Sequence, residues 1–215
     1  MHCMAEVAGL QDFTAQLFVD LREGEARFAV VGGFAVSVRA EPRFTHDIDV
    51  AVAVGTDAEA EALVLHLQAL GYQVFMVLEH EVTGRMATVR IRKAGRKGEP
   101  LIADLLFASS GIKAELVDAA TSELLPGVGE VPVATCGFLL ALKLLSRREK
   151  GRPNDAADVG ALLAVATADD IAQARAAVAL IEERGFNRQR NLRQLLDEAL
   201  VDWDGDSKSD GWRSV

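Results

Sequence analysis

VVGGFAVSVRAEPRFTHDIDVAVAV, residues 30–54, holds two apolar runs, and each is interrupted in a telling way. The first stops at Gly32-Gly33. The second, DIDVAVAV (47–54), reads as a strand rich in β-branched residues, yet it carries Asp47 and Asp49. Side chains alternate along a strand, so both aspartates share a face, with Cα atoms roughly 6–7 Å apart. Ile48 and Val50 then point the other way, toward a core. Charged side chains are seldom buried unless they are paired or hold a metal. Two neighbouring carboxylates raise each other's pKa, and a divalent cation removes that repulsion. Mg²⁺ is usually held by one or two carboxylates completed by substrate phosphates. The glycines before the strand open a helix-like segment, FAVSVRA, where backbone N–H groups can approach phosphate closely. The stretch is neither a Walker A loop nor a G-x-G-x-x-G turn.

Reading outward, residues 8–22 place Leu10, Phe13, Leu17, Phe18 and Leu21 at helical spacing, and RFAVV (27–31) is a short strand. GTDAEAEALVLHLQALG has a cap at Thr56 or Asp57 and closes at Gly71, which predicts a helix. YQVFMVL (72–78), RMATVRIRK (85–93) and PLIADLLFA (100–108) are three further strands, the last two joined by a hairpin loop, AGRKGE. Beyond residue 110 helices are expected at 137–149, 155–166, 168–185 and 193–203, followed by a polar, flexible tail. The fold class is therefore α+β. The expected domains are a core over 1–110, a helical C-terminal lobe over 111–203 and a tail over 204–215. Asp104, inside LIADLLF, is a third acid in an apolar setting. If its strand lies beside 47–54, three carboxylates converge. Such a set can hold one or two metal ions for an in-line displacement at phosphorus, and Asp104 can take the proton of an attacking hydroxyl.

Composition bounds this reading. The chain has 215 residues, half of them hydrophobic, with a formal net charge of −9. That balance opposes broad, non-specific nucleic-acid binding. Basic residues nevertheless cluster at 85–97, in RREKGR (147–152) and among Arg184, Arg188, Arg190 and Arg193. Each cluster is either a solvated face or a phosphate site. Cys3 and Cys136 lack C-x-x-C spacing and read as free thiols. With no signal-peptide pattern and no membrane-length apolar run, the expected location is the cytoplasm and no membrane partner is expected.

GGFA followed by RFTHDIDVAV, with a later strand acid, resembles the nucleotidyltransferase superfamily. The R-F-T-x-D-I-D form is similar to the AbiEii/AbiGii branch, which includes MenT-like toxins. LALKLLSRREKGRPNDAADVGALL is similar to that branch's downstream lysine and late acids, so the resemblance spans about residues 27–165. It implies a minimal nucleotidyltransferase fold, a mixed β-sheet flanked by helices, with the helical lobe following. It implies that Asp47, Asp49 and Asp104 bind Mg²⁺ (or Mn²⁺) and carry catalysis. It implies nucleotide contacts from Gly32, Gly33, Arg43, Thr45, Lys143, Asp155 and Asp158. The chain departs from many members at Val31, Phe34 and Asn154.

The residues by themselves leave other roles open. Asp104 is also a natural partner for a nearby arginine. Arg43 can pair with Glu41 or Asp47, Lys143 can be a helix-surface lysine, and Asp155 suits the first turn of a helix. Asp158 can pair with Lys150 or Arg152. His46 points away from Asp47 in the strand pattern. Ser109-Ser110 lacks a nucleophile elbow, and the acidic tail fails as a calcium loop. The expected activity is transfer of an NMP from a nucleoside triphosphate to an acceptor hydroxyl. The resemblance implies a toxin with an antitoxin protein partner, acting on tRNA or another RNA acceptor. The alternatives are a small-molecule or protein acceptor, or a non-catalytic nucleotide-binding relative.

Overall fold

Apolar strands with a single polar face build the centre of this protein. The computed structural model describes residues 2–42, 45, 47–81, 83–94, 100–107, 110–146 and 153–209, and side chains within these except at 2–8, 94, 100, 153–154 and 204–209. The elements run α1 (His2–Glu23), β1 (Arg27–Val31), α2 (Gly32–Arg39), β2 (Asp47–Ala53), α3 (Asp57–Ala69), β3 (Gln73–Glu79), β4 (Met86–Ala94) and β5 (Pro100–Leu106). They continue with α4 (Lys113–Asp118), β6 (Thr121–Leu125), β7 (Gly129–Val133), α5 (Cys136–Ser146), α6 (Pro153–Val165), α7 (Ala168–Glu183) and α8 (Leu192–Ser209). The chain divides into two compact units.

The first unit takes residues 1–35, 43–109 and 113–134. It contains one seven-stranded mixed sheet in the order β3-β4-β5-β2-β1-β7-β6. β2 lies between β1, antiparallel, and β5, parallel. Ile48, Val50 and Val52 are fully buried, as are Val89, Ile91, Ala103 and Leu105 on the neighbouring strands. α1 buries Phe13, Leu17, Phe18 and Leu21, the stripe that its spacing predicts. Its backbone also extends upstream to His2 through Met4, Ala5 and Glu6, good helix formers that need no apolar stripe. Thr56 caps α3 by accepting the Glu59 N–H.

The second unit takes residues 36–42, 110–112 and 135–215. Its helices are α5 to α8. α5 is apolar almost throughout and buries Phe138, Leu139, Leu140, Leu144 and Leu145. α7 opens with a reciprocal capping box between Thr167 and Asp170. Cys136 is a buried free thiol, and burial pushes its pKa up.

The architecture is the expected mixed α+β fold, with one correction. The stretch after residue 110 is not wholly helical, because β6 and β7 come between α4 and α5. α4 has six residues, too few for a period to show. β6 is largely exposed, and β7 contains Pro132, so neither has the apolar run of a central strand. α8 is helical to Ser209, into the segment expected to be a flexible tail. Arg43, Phe44, His46, Arg96, Lys97 and the RREKGR cluster lie outside the described residues. Among the described residues, no helix is long and apolar enough to cross a membrane.

Candidate active site

The site forms where β1 ends beside the start of β2. Pairing sets Val31 opposite Asp49, so the chain leaves β1 directly beside the Asp49 side chain. Gly32 takes φ +68°, and a Cβ built on it falls 1.8 Å from Asp49 Oδ2. Only glycine supplies both the left-handed backbone and this close approach. The helix α2 starts at that glycine. Thr45 Oγ1 donates to the Asp47 carbonyl at 3.1 Å and braces the entry into β2.

Asp47 and Asp49 are half-buried and alternate with fully buried neighbours, as the strand pattern predicts. Parallel pairing of β2 with β5 sets Asp49 directly opposite Asp104 and Asp47 opposite Ile102. Partners in register share a face, so the two strands bring three carboxylates to one side of the sheet. The expected placement of Asp104 beside the pair is met.

The sequence reading did not assign a fourth member, Arg90. It lies in register with Asp104 across the antiparallel β4–β5 pair. Its Nε donates to Asp104 Oδ1 and its Nη2 to Oδ2, both at 2.7 Å, a bidentate charge-assisted clamp. The guanidinium is held still more firmly protonated than usual. The hydrogen bond to Asp104 is the largest cause; the charges of Asp104, Asp47 and Asp49 add, and partial burial opposes. All four groups therefore share one electrostatic field. The sequence reading offered Asp104 a nearby arginine as partner, and the β4–β5 register identifies that arginine as Arg90.

The donor chemistry suits a hard divalent cation. Asp47 and Asp49 offer oxygens two residues apart on one strand, and the missing Gly32 side chain leaves Asp49 its place. Among the described residues no group of three or more His, Cys, Asp or Glu is arranged to hold a metal ion. The Asp104 carboxylate is engaged by Arg90, which agrees with that. The fit is thus to a two-carboxylate site that substrate oxygens complete.

Within the second unit Lys143, Asp155 and Asp158 also come together. Lys143 Nζ is 2.7 Å from Asp158 Oδ2 and 3.4 Å from Asp155 Oδ1, with all three side chains nearly buried. Ser146 Oγ adds a 3.4 Å bond to Asp155. Asp155 lies in the first turn of α6, as its sequence context allows. Asp158 pairs with Lys143 from the neighbouring helix, and the partners suggested for it by sequence, Lys150 and Arg152, lie outside the described residues.

The basic clusters are used internally where they are described. Arg85 pairs with Asp57 and donates to the Gly55 carbonyl. Arg92 bonds Gln73 and lies over the Phe75 ring, and Lys93 sits 4.2 Å from the Tyr72 ring centroid. Arg190 donates to the Leu144 and Leu145 carbonyls, which caps α5, and Arg193 pairs with Glu182.

No curated protein matches the chain. Among solved structures, it is similar to an antigenic nucleotidyltransferase-like protein from Paracoccidioides brasiliensis, with a TM-score of 0.51 and 17% identity over 90% of this chain and 92% of that one. JHP933 from Helicobacter pylori follows at a TM-score of 0.43 and 13% identity, over 97% and 94% of the two chains. The MenT4 nucleotidyltransferase toxin from Mycobacterium tuberculosis is found at a TM-score of 0.37 and 15% identity, over 94% and 99%. The first of these shows a shared fold; the other two overlap too loosely to carry an argument. The family described as nucleotidyl transferase AbiEii toxin, type IV toxin–antitoxin system, matches residues 17–213, and the chain belongs to this family of nucleotidyltransferases.

Proposed function

We propose that this protein is the toxin of a toxin–antitoxin pair and transfers a nucleoside monophosphate from a nucleoside triphosphate to a hydroxyl of tRNA. The observation that carries the chemistry is the Asp49–Asp104 register, which sets a third carboxylate beside the D-x-D pair. The acceptor oxygen attacks the α-phosphorus, the bond to pyrophosphate breaks, and the hydroxyl proton passes to an Asp104 oxygen. A carboxylate has about four lone-pair sites. Arg90 takes one on each oxygen, which leaves capacity for that proton.

A Mg²⁺ or Mn²⁺ ion on Asp47 and Asp49 would supply neutralisation of the phosphate charge. Gly32 and Gly33 open α2, and their backbone faces the triphosphate in this reading. Thr45 fixes the start of β2 so that Asp47 and Asp49 keep their spacing. Arg43, which lies outside the described residues, takes the phosphate contact implied by the resemblance. The phosphate role implied for Lys143 sets phosphate oxygens in competition with Asp155 and Asp158 for its ammonium. The antitoxin rests on the family description, and the tRNA acceptor on the sequence resemblance.

The decisive experiment incubates the protein with each α-labelled nucleoside triphosphate, Mg²⁺ and total RNA. Label should appear in the tRNA band with one nucleotide preferred. Asp49→Asn should lower transfer by about 10²–10³-fold, the scale of losing a group that stabilises transition-state charge. Transfer that survives this substitution would refute the site assignment. Label found only in protein or in a small molecule would refute the acceptor.

A further inference from the structure

Arg90 sits among the site carboxylates, and the chemistry above gives it no step of its own. Its two 2.7 Å bonds consume one position on each oxygen of Asp104, and the charges of Asp47 and Asp49 act on it as well. An arginine does not lose its proton in a protein, so this face carries a permanent positive charge. Among the described residues, Asp47, Asp49 and Asp104 set three negative charges against the Arg90 guanidinium, and one divalent cation cancels the remaining two. A second divalent ion at Asp104 would have to break a bidentate charge-assisted pair and then face the released guanidinium. The Arg90 side chain is 29% exposed and that of Asp104 only 13%, so water screens this repulsion incompletely.

We propose that Arg90 is a positioning residue that reserves Asp104. Without nucleotide the protein takes one divalent cation, on Asp47 and Asp49, and Asp104 stays outside its coordination shell. The clamp fixes the plane of the Asp104 carboxylate for the acceptor hydroxyl. This inference rests on the metal-site reading given under Proposed function.

Mn²⁺ binding to the nucleotide-free protein tests it, followed by calorimetry and by the paramagnetic resonance of free Mn²⁺. The wild type should bind one ion per chain, Asp49→Asn should lose it, and Asp104→Asn combined with Arg90→Met, which leaves no freed guanidinium, should keep it. Arg90→Met should either bind a second ion or bind about tenfold more tightly, since a like charge has gone and a carboxylate is released. That gain should vanish when Asp104→Asn is added, and Arg90→Lys, which keeps the charge, should stay at one ion. If the methionine variant does not fold, Arg90→Gln carries the same comparison. Loss of the ion in the Arg90→Met, Asp104→Asn double variant, or unchanged stoichiometry and affinity in the uncharged Arg90 variants, overturns the proposal while the metal site stands. Absence of any binding in the wild type overturns the nucleotide-free metal site, and the reservation of Asp104 with it.

Discussion

Gly32 performs two tasks that no other residue can combine. It turns the chain through φ +68° at the end of β1, and it leaves room for the Asp49 carboxylate. Gly32→Ala should therefore cost about 1–3 kcal/mol in urea unfolding, the usual scale for a strained backbone. It should also lower nucleotide transfer by roughly 10²-fold, because a displacement of about 1 Å at a reacting group has that effect. Gly160→Ala is the control. Gly160 lies within α6, and a Cβ there meets nothing within 4 Å. That substitution should stabilise the protein slightly and leave transfer unchanged. At this scale the sequence was legible where chemistry is local. The glycine pair and the alternation of Asp47 and Asp49 are short-range patterns, so they could be read directly. The Asp104 placement needed one correct guess of strand neighbours. Arg90 needed the register of a hairpin as well, and inside a basic cluster it looked like one solvated cation among six.

Elements tell a similar story. β1, β2, β4 and β5 announce themselves because they are apolar on at least one face, and that pattern follows from burial, whereas β3 is apolar in sequence but largely exposed. β6 and β7 do not, since TSELL and GEVPV are five residues each, with polar residues, a glycine and Pro132 breaking any apolar run. Their turn did leave a trace, however, in Gly127 at φ +73° and Gly129 at φ +98° within PGVG. Between α5 and α6 the Lys143–Asp158–Asp155 cluster joins two helices by charge within an apolar setting. Removing one partner of a buried ion pair strands the other, typically at about 3–5 kcal/mol, whereas removing all of the charges is often nearly neutral. Lys143→Met should accordingly lower the urea midpoint sharply. Adding Asp155→Asn and Asp158→Asn to that variant should recover most of the loss. A Lys143→Met protein of unchanged stability would show that the cluster does not tie the two helices, and would leave the lysine available to phosphate.

Across the whole molecule, charge decides how an RNA acceptor can be held. The chain carries a formal −9, so its general field repels a polyanion. The described cations of the sequence's basic clusters do little to reverse this. Arg85, Arg90 and Arg193 are paired with acids, Arg190 caps a helix, and Arg92 lies on Phe75. A cation already matched to a protein carboxylate or carbonyl releases few counterions when nucleic acid arrives. Because each neutralised phosphate contributes about −0.9 to the slope of log K against log salt on a duplex, and about −0.7 on a single strand, tRNA binding by this protein should show a slope shallower than about −3. Titrating labelled tRNA between low and moderate salt measures it. A slope of −6 or steeper would require a phosphate-binding surface that these paired residues do not provide. The shallow slope instead favours recognition concentrated at the acceptor end, where the nucleotide, Asp104 and the attacking hydroxyl meet in the proposed reaction.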